Sequence, residues 1–493
     1  MQVSLNTDLV TIILFLVIAL GIGLWYGKGV TSLHDYALGG RRFETATIAV
    51  TLVATYISGS TFSLIILNTY AVGILSIVTL IGQVISLFLC SYVLAPRMKE
   101  FLGKLSIAEV MGDLYGNHVK IITAICSVIK STTVVALQIK VFSTMFSYFF
   151  AMHSVHAALI STVIVIIYAA FGGIRAIIFT DIYQFLAFGA FIPTFALLIW
   201  LGFGDFKALT TTLTTHPMFD PKLLLDYHNP IVLTYYGVFF YCLLPCLSPA
   251  MFQRALIAKS TKQISIAFKN CALTYLLFCF FVAWIGIMLV SMDHDMGLDN
   301  LVMYVIDSYS FSGLKGMIMV GVLAMTMSTA DSHINTASII LVNDLCKPLR
   351  LLRDDQSTEL GLVKIFSILI GTIALIIVLL QQDLLEILLL GADFYYPTVG
   401  IPLLVTILGF RSSIRVILSG IISGILIVII WDCYFEPFFP ISSVVPATIV
   451  NFIVMMVVHY LLKEPGGWVG PKKGPLNVIK VKDYQRRVAE FLK

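Results

Sequence analysis

Met327-Ser328-Thr329-Ala330-Asp331-Ser332-His333-Ile334-Asn335 stands inside an apolar helical stretch, between Val320–Leu323 and Ile339–Val342. At bilayer depth the Asp alone costs roughly 2.5–3.5 kcal/mol on insertion scales, and so polar a run is kept there for a use. Helical spacing puts Ser328, Asp331, Ser332 and Asn335 on one stripe, with Thr329 beside it. Oxygens gathered on one helix face are what a small hard cation needs after shedding its water. The stretch therefore predicts a membrane span that takes part in ion-coupled transport.

The rest of the chain agrees. Its 493 residues are 59% hydrophobic and only 12% charged, an excess no soluble domain needs, and no polar linker divides them. Apolar stretches of about 20 residues, enough to cross a ~30 Å hydrocarbon core, recur from end to end. Thirteen are predicted: 7–27, 47–73, 75–96, 119–150, 155–171, 176–202, 231–253, 264–291, 315–343, 361–381, 384–410, 412–431 and 441–462. The first lacks a basic n-region and a small-residue cleavage site, so it is expected as a retained helix. The fold class expected is an all-α polytopic membrane protein, with residues 1–463 as the transporter domain and 464–493 as a basic cytoplasmic tail.

Charge placement orients that count. With the N-terminus outside and the C-terminus inside, the cytoplasmic loops hold Arg41, Arg42, Arg97, Lys99, Lys104, Lys120 and Arg175, then Arg254, Lys259, Lys262, Lys269, Lys347 and Arg350. Only Lys207, Lys222 and Lys315 fall outside. This is the positive-inside pattern, and the net charge of +4 reflects topology rather than nucleic-acid binding. The exterior loop 292–314 carries Asp293, Asp295 and Asp299, and the tail after 463 is expected against anionic lipid. The eight cysteines lie in or beside spans. Cys242 and Cys246 share a helix face without a neighbouring His or carboxylate, so buried reduced thiols are expected rather than a metal site.

Two spans cannot run straight. Thr55-Tyr56-Ile57-Ser58-Gly59-Ser60-Thr61 is a polar, Gly-bearing interruption of 47–73, and Pro245, Ser248 and Pro249 break 231–253. The breaks fall in the second and seventh spans. Matched interruptions five helices apart predict two inverted repeats, about 47–202 and 231–410, in a five-plus-five core. Unwound backbone around Ala54–Gly59 would offer carbonyls to a cation without any carboxylate; a small-residue packing interface is the other reading.

Further polar residues are candidates for the path. Phe171-Gly172-Gly173-Ile174-Arg175-Ala176 reads as a tight cytoplasmic turn, and Asp181 follows Gly173 at about 12 Å of helical rise. It would draw a cation towards the inner exit, or pair with Arg175 or another interfacial arginine. Lys130 and Lys140 are the basic residues inside a span; either can face a solute carboxylate, while Lys140, nearer the outer end, can instead snorkel. Gln138 can equally face a cavity. Asp393-Phe394-Tyr395-Tyr396-Pro397 bends 384–410 as a gate or a static kink. His333 reads as a packed histidine before a proton carrier.

Ala54–Gly73, Gly172–Ala176 with Thr180-Asp181-Ile182-Tyr183-Gln184, and Met327–Asp344 together resemble the sodium:solute symporter family, whose members include bacterial proline, pantothenate, sialic acid and sugar symporters. The resemblance implies the five-plus-five inverted repeat, LeuT-like in type, with a sodium ion between the first and eighth core helices. Its ligands would be the carbonyls of Ala54, Ile57 and Met325 and the hydroxyls of Ser328 and Thr329. A second sodium, bound by some members, would meet Asp181, Ser328, Asp331 and Ser332, with Asp331 standing where such members tend to have a hydroxyl. Met325 replaces a usual alanine, and Tyr56 stands where proline-type members carry Asp and sugar-type members Asn. Tyr56, Ser60, Thr61 and Tyr241 would line the solute cavity with Lys130, Gln138 or Lys140.

The function expected is a sodium-coupled secondary active symporter in the plasma membrane, the inner membrane if the source is bacterial. It would import a small organic solute, with a lean to an amino acid or other carboxylate. Its partners would be solute, sodium and lipid, with no nucleic acid, obligate protein partner or cofactor beyond the coupling ion. Proton coupling through Asp181, Asp331 or His333 is the alternative. A transporter-like sensor is a weaker one, because the segment after Lys463 is too short for a signalling domain. No nucleophile–base pair or metal-ligand cluster suggests an enzyme.

Overall fold

A computed structural model describes residues 7–170, 173–292, 301–310, 313–351, 356–381, 383–435, 438–439 and 441–469. The chain runs through α1 (Thr7–Tyr26), α2 (Leu33–Leu38), α3 (Thr45–Tyr56), α4 (Gly59–Val72), α5 (Ile74–Leu89), α6 (Ile107–Tyr115) and α7 (Asn117–Phe149). Then come α8 (Ser154–Ala170), α9 (Ile174–Phe203), α10 (Phe206–Thr215), α11 (Pro230–Leu243), α12 (Pro249–Leu256), α13 (Thr261–Ser291), α14 (Leu301–Tyr309) and α15 (Leu314–Ile340). The last are α16 (Gln356–Leu380), α17 (Leu384–Tyr395), α18 (Ile401–Ile407), α19 (Ile414–Ile430) and α20 (Val444–Leu461).

Helix runs through every predicted segment, but the count of crossings differs. Among the described residues ten helical spans are long and apolar enough to cross a membrane, and the bent pair α3–α4 makes eleven. Two predicted crossings fall short. The helix α8 has 17 residues, and the segment 231–253 is divided by its prolines into α11 and α12. The acidic loop 293–300, Phe171, Gly172 and the tail from 470 onward lie outside the described residues.

Both predicted breaks are present. After Tyr56 the backbone turns extended at Ile57 and Ser58, and Ser58 then caps α4, its hydroxyl accepting from Thr61 N at 3.1 Å. The two helices meet at a 55° bend. Gly59 allows that bend against α15, because a Cβ there would lie 2.3 Å from Thr326 Cγ2. In the second break Ser248 caps α12, with Pro249 at its first position where the lost N–H costs nothing.

The helix α15 lies at the centre, packed by α1, α3, α7, α9 and α16. Every residue from Gly321 to Ile340 is buried. The polar stripe read from the sequence therefore faces protein on all sides, which is how so many hydroxyls persist in a span. At the other end, the first residues after Lys463 fold back on the bundle. Gly467 and Trp468 pair antiparallel with Arg411 and Phe410, and Trp468 packs on the Phe410 ring.

Candidate functional site

The break after α3 meets the middle of α15. Ser328 Oγ donates to Ala54 O at 2.7 Å and lies 3.1 Å from Met325 O. Thr329 Oγ1 lies 3.3 Å from Thr55 O and 3.2 Å from Met325 O. Five oxygens from two helices thus converge without a carboxylate, and both side chains are buried. Four of the expected sodium ligands, Ala54, Met325, Ser328 and Thr329, are brought together. Ile57 sits at the end of α3, but the hydroxyls reach Ala54 and Thr55 rather than Ile57: Ser328 meets Ala54 O and Thr329 meets Thr55 O. Thr55 lies within the Ala54–Gly59 stretch expected to offer carbonyls but is not among the ligands the resemblance implies; the packing of α3 on α15 selects its carbonyl.

One turn along α15 a second cluster forms. Asp181 Oδ2 accepts from Thr51 and lies 3.7 Å from Arg254 Nη2, which also donates to Ser332 Oγ. Ser332 Oγ bonds Ser328 O at 2.6 Å and lies 3.5 Å from Asp331 Oδ1. Thr55 Oγ1, 3.3 Å from Ser332 Oγ, joins this cluster to the first. Asp181, Asp331 and Ser332 are therefore neighbours as expected.

Arg254 is not where the sequence placed it. Read as a cytoplasmic loop charge, it is fully buried, because α12 turns inward after its break and buries all its residues against α3 and α15. The signal was available: Ala255-Leu256-Ile257-Ala258 continues the apolar run past the arginine. Nε and Nη1 of Arg254, Oδ1 of Asp181 and Oδ2 of Asp331 have no hydrogen-bond partner although buried.

Beside the first cluster a cavity of about 220 Å³ opens between both breaks, α5 and α7. Tyr56, Ser60, Thr61, Lys130, Gln138 and Tyr241 all line it. Lys140 does not: ten residues beyond Lys130 on α7, it is part-exposed and absent from the lining. Gln138 Nε2 donates to Ser60 Oγ at 3.0 Å, and Ser60 meets Ser58 at 3.0 Å. Thr329 also faces the cavity, so one residue belongs to both the ion cluster and the solute space. His333, expected to be a packed histidine, lines the cavity as well. Tyr396 does too, while Tyr395 Oη donates to Leu247 O at 2.6 Å and ties α17 to the second break.

Comparison with known proteins agrees with this layout. The chain is 24% identical to a sodium/proline symporter of Staphylococcus aureus over 98% of both chains. It is also 24% identical to that of strain Newman, over 97% of this chain and 96% of the relative. Its fold matches a solved Na+-coupled sialic acid symporter, in a substrate-bound outward-open state, with a TM-score of 0.81 at 18% identity over 94% of this chain and 99% of that one. The sodium:solute symporter family model matches residues 36–424. A broken helix facing a buried hydroxyl pair, in a multi-pass plasma-membrane chain matched over most of its length, makes this protein a member of the sodium:solute symporter family.

Proposed function

We propose that the protein couples inward sodium flow to uptake of a small organic solute that carries a carboxylate, by alternating access. One observation carries the reading: Ser328 and Thr329 meet the carbonyls of the α3 break at 2.7 and 3.3 Å. In the proposal, sodium replaces the protons of these hydroxyls as the partner of the carbonyls, with Ala54, Ile57, Met325, Ser328 and Thr329 as ligands and Thr55 as a further one. Sodium would hold α3 and α15 together and so favour the solute-ready state by population shift. The driving force suffices. One sodium crossing 100 mV releases about 2.3 kcal/mol, which at 1.36 kcal/mol per tenfold supports roughly 50-fold accumulation.

The topology proposed is thirteen crossings with the N-terminus outside, two inverted repeats near 47–202 and 231–410, and a cavity reached from either side in turn. Lys130 in the cavity lining supports a carboxylate-bearing solute. Substituting Ser328→Ala or Thr329→Ala is expected to raise the sodium concentration for half-maximal uptake by about 10-fold or more, since a hydrogen-bond-strength contact to a charge is worth about 1.5–3 kcal/mol. Unchanged sodium dependence in both variants would remove the site.

Proton coupling is the second reading, favoured by one feature. Among the described residues, Asp181 and Asp331 face a single buried guanidinium, that of Arg254, so the cluster is one cation short. A second sodium or a proton would complete it. Uptake that persists without sodium and falls as external pH rises would support the proton; uptake abolished without sodium at every pH would exclude it.

A further inference from the structure

We infer that the cavity is an anion site: Lys130 and His333, on facing helices, hold the carboxylate of a solute that has no ammonium group. This rests on the transport reading above and narrows it, setting amino acids aside in favour of plain monocarboxylates.

Lys130 is 4% exposed and His333 3%, and both line the same cavity. They lie within electrostatic reach of each other. The Lys130 stem runs along α17, where a Cβ on Gly391 would come within 3.3 Å of its Cδ, and its ammonium makes no hydrogen bond or salt bridge to a described residue. Asp393 is the carboxylate whose charge reaches it. That carboxylate is absent from the lining and accepts from Ser443 Oγ at 3.2 Å. His333 Nδ1 is buried without a partner. Polar groups left in this way are costly until a ligand meets them.

Among the described residues, a solute ammonium would meet neutral oxygens only, including those of Tyr56, Thr61 and Asn68. No Asp or Glu is among the described lining residues. The second break's carbonyls are all engaged: Leu244 by Ser86, Pro245 by Leu247 N, Cys246 by Cys90, Leu247 by Tyr395 and Ser248 by Phe252 N. Gln138 Oε1 is free, but it is a neutral amide about 12 Å along α7 from Lys130 and suits a hydroxyl. Lys130 and Asp393 balance each other, so an incoming carboxylate adds one negative charge. Thr329, one turn before His333, puts the sodium where it offsets that charge. Ion and solute would each strengthen the other's binding.

The test is a thermal-shift titration of the full-length protein with acetate, lactate, pyruvate and benzoate, each beside its amide, and with proline, in sodium and in choline. At least one acid is expected to stabilise the protein in sodium, with its amide and proline at least tenfold weaker. Lys130→Met is expected to abolish the response and Lys130→Arg to keep part of it, while both variants retain the shift given by sodium alone, which shows that they are folded. Proline or an amide matching the best acid, an undiminished response in Lys130→Met, or no response to any acid would overturn the inference. Acid binding without any sodium effect would instead sink the sodium reading and leave the anion site standing.

Discussion

Arg254 shows how much one side chain can change the reading of a site. Its guanidinium lies between Asp181 and Ser332 with no exposure, and Asp331 adds a second carboxylate to its surroundings. Breaking a buried pair by removing one partner costs about 3–5 kcal/mol, because the other charge stays buried alone. Arg254→Met is therefore expected to lower the unfolding temperature strongly. Adding Asp331→Asn should restore part of the loss, since one orphaned carboxylate is then neutral. Wild-type unfolding of Arg254→Met would show that the cluster bears no such charge. The hydroxyls of Ser328 and Thr329 make the opposite case: they are small and neutral, and their value lies in what they touch.

At the scale of helices, function depends on two breaks held by different means. The first is held by close approach. Gly59→Ala would drive a methyl into Thr326 Cγ2, and such overpacking typically costs 1–3 kcal/mol. Thermal unfolding of the purified protein should report that loss. Thr326→Ser, which removes the clashing methyl and keeps the hydroxyl bond to Leu323 O, should recover it. The second break is held by side chains, among them Tyr395 Oη on Leu247 O. Tyr395→Phe gives up about 0.5–1.5 kcal/mol and loosens α17 from the break. The rate of uptake should change while the sodium concentration for half activation stays put. A shifted sodium dependence would mean that the second break also sets the ion site.

For the whole molecule the proposed topology sets which way the bundle faces. The proposed thirteen crossings put Cys433, which is exposed, outside and Cys346, which is half-buried, inside. A membrane-impermeant maleimide applied to intact cells should label Cys433, and Cys433→Ser should remove the signal. Cys346 should react only after permeabilisation. The reverse pattern would invert the topology. The remaining cysteines among the eight are buried; Cys242 and Cys246 line the solute cavity, and Cys433→Ser reads any background they give.

Sequence alone determined what depends on local chemistry. Hydropathy located the helices because a span must be apolar over its own length. Ser58-Gly59 and Pro245 with Ser248-Pro249 located the breaks because capping and ring sterics act within a few residues. The hydroxyl pair Ser328–Thr329 was legible as polarity inside an apolar run. Tertiary structure decided everything that depends on distant segments meeting. Only the packing of α3 on α15 brought Thr55 to Thr329, and only the inward turn of α12 took Arg254 out of a loop and put it beside Asp181. Lys130 and Lys140, alike on one helix, were separated by which face met the cavity. The physical reason is that a residue's partners across 70 to 270 positions of chain are fixed by how helices pack; the apolar run past Arg254 hinted at its burial, but no local pattern named Asp181 as its neighbour.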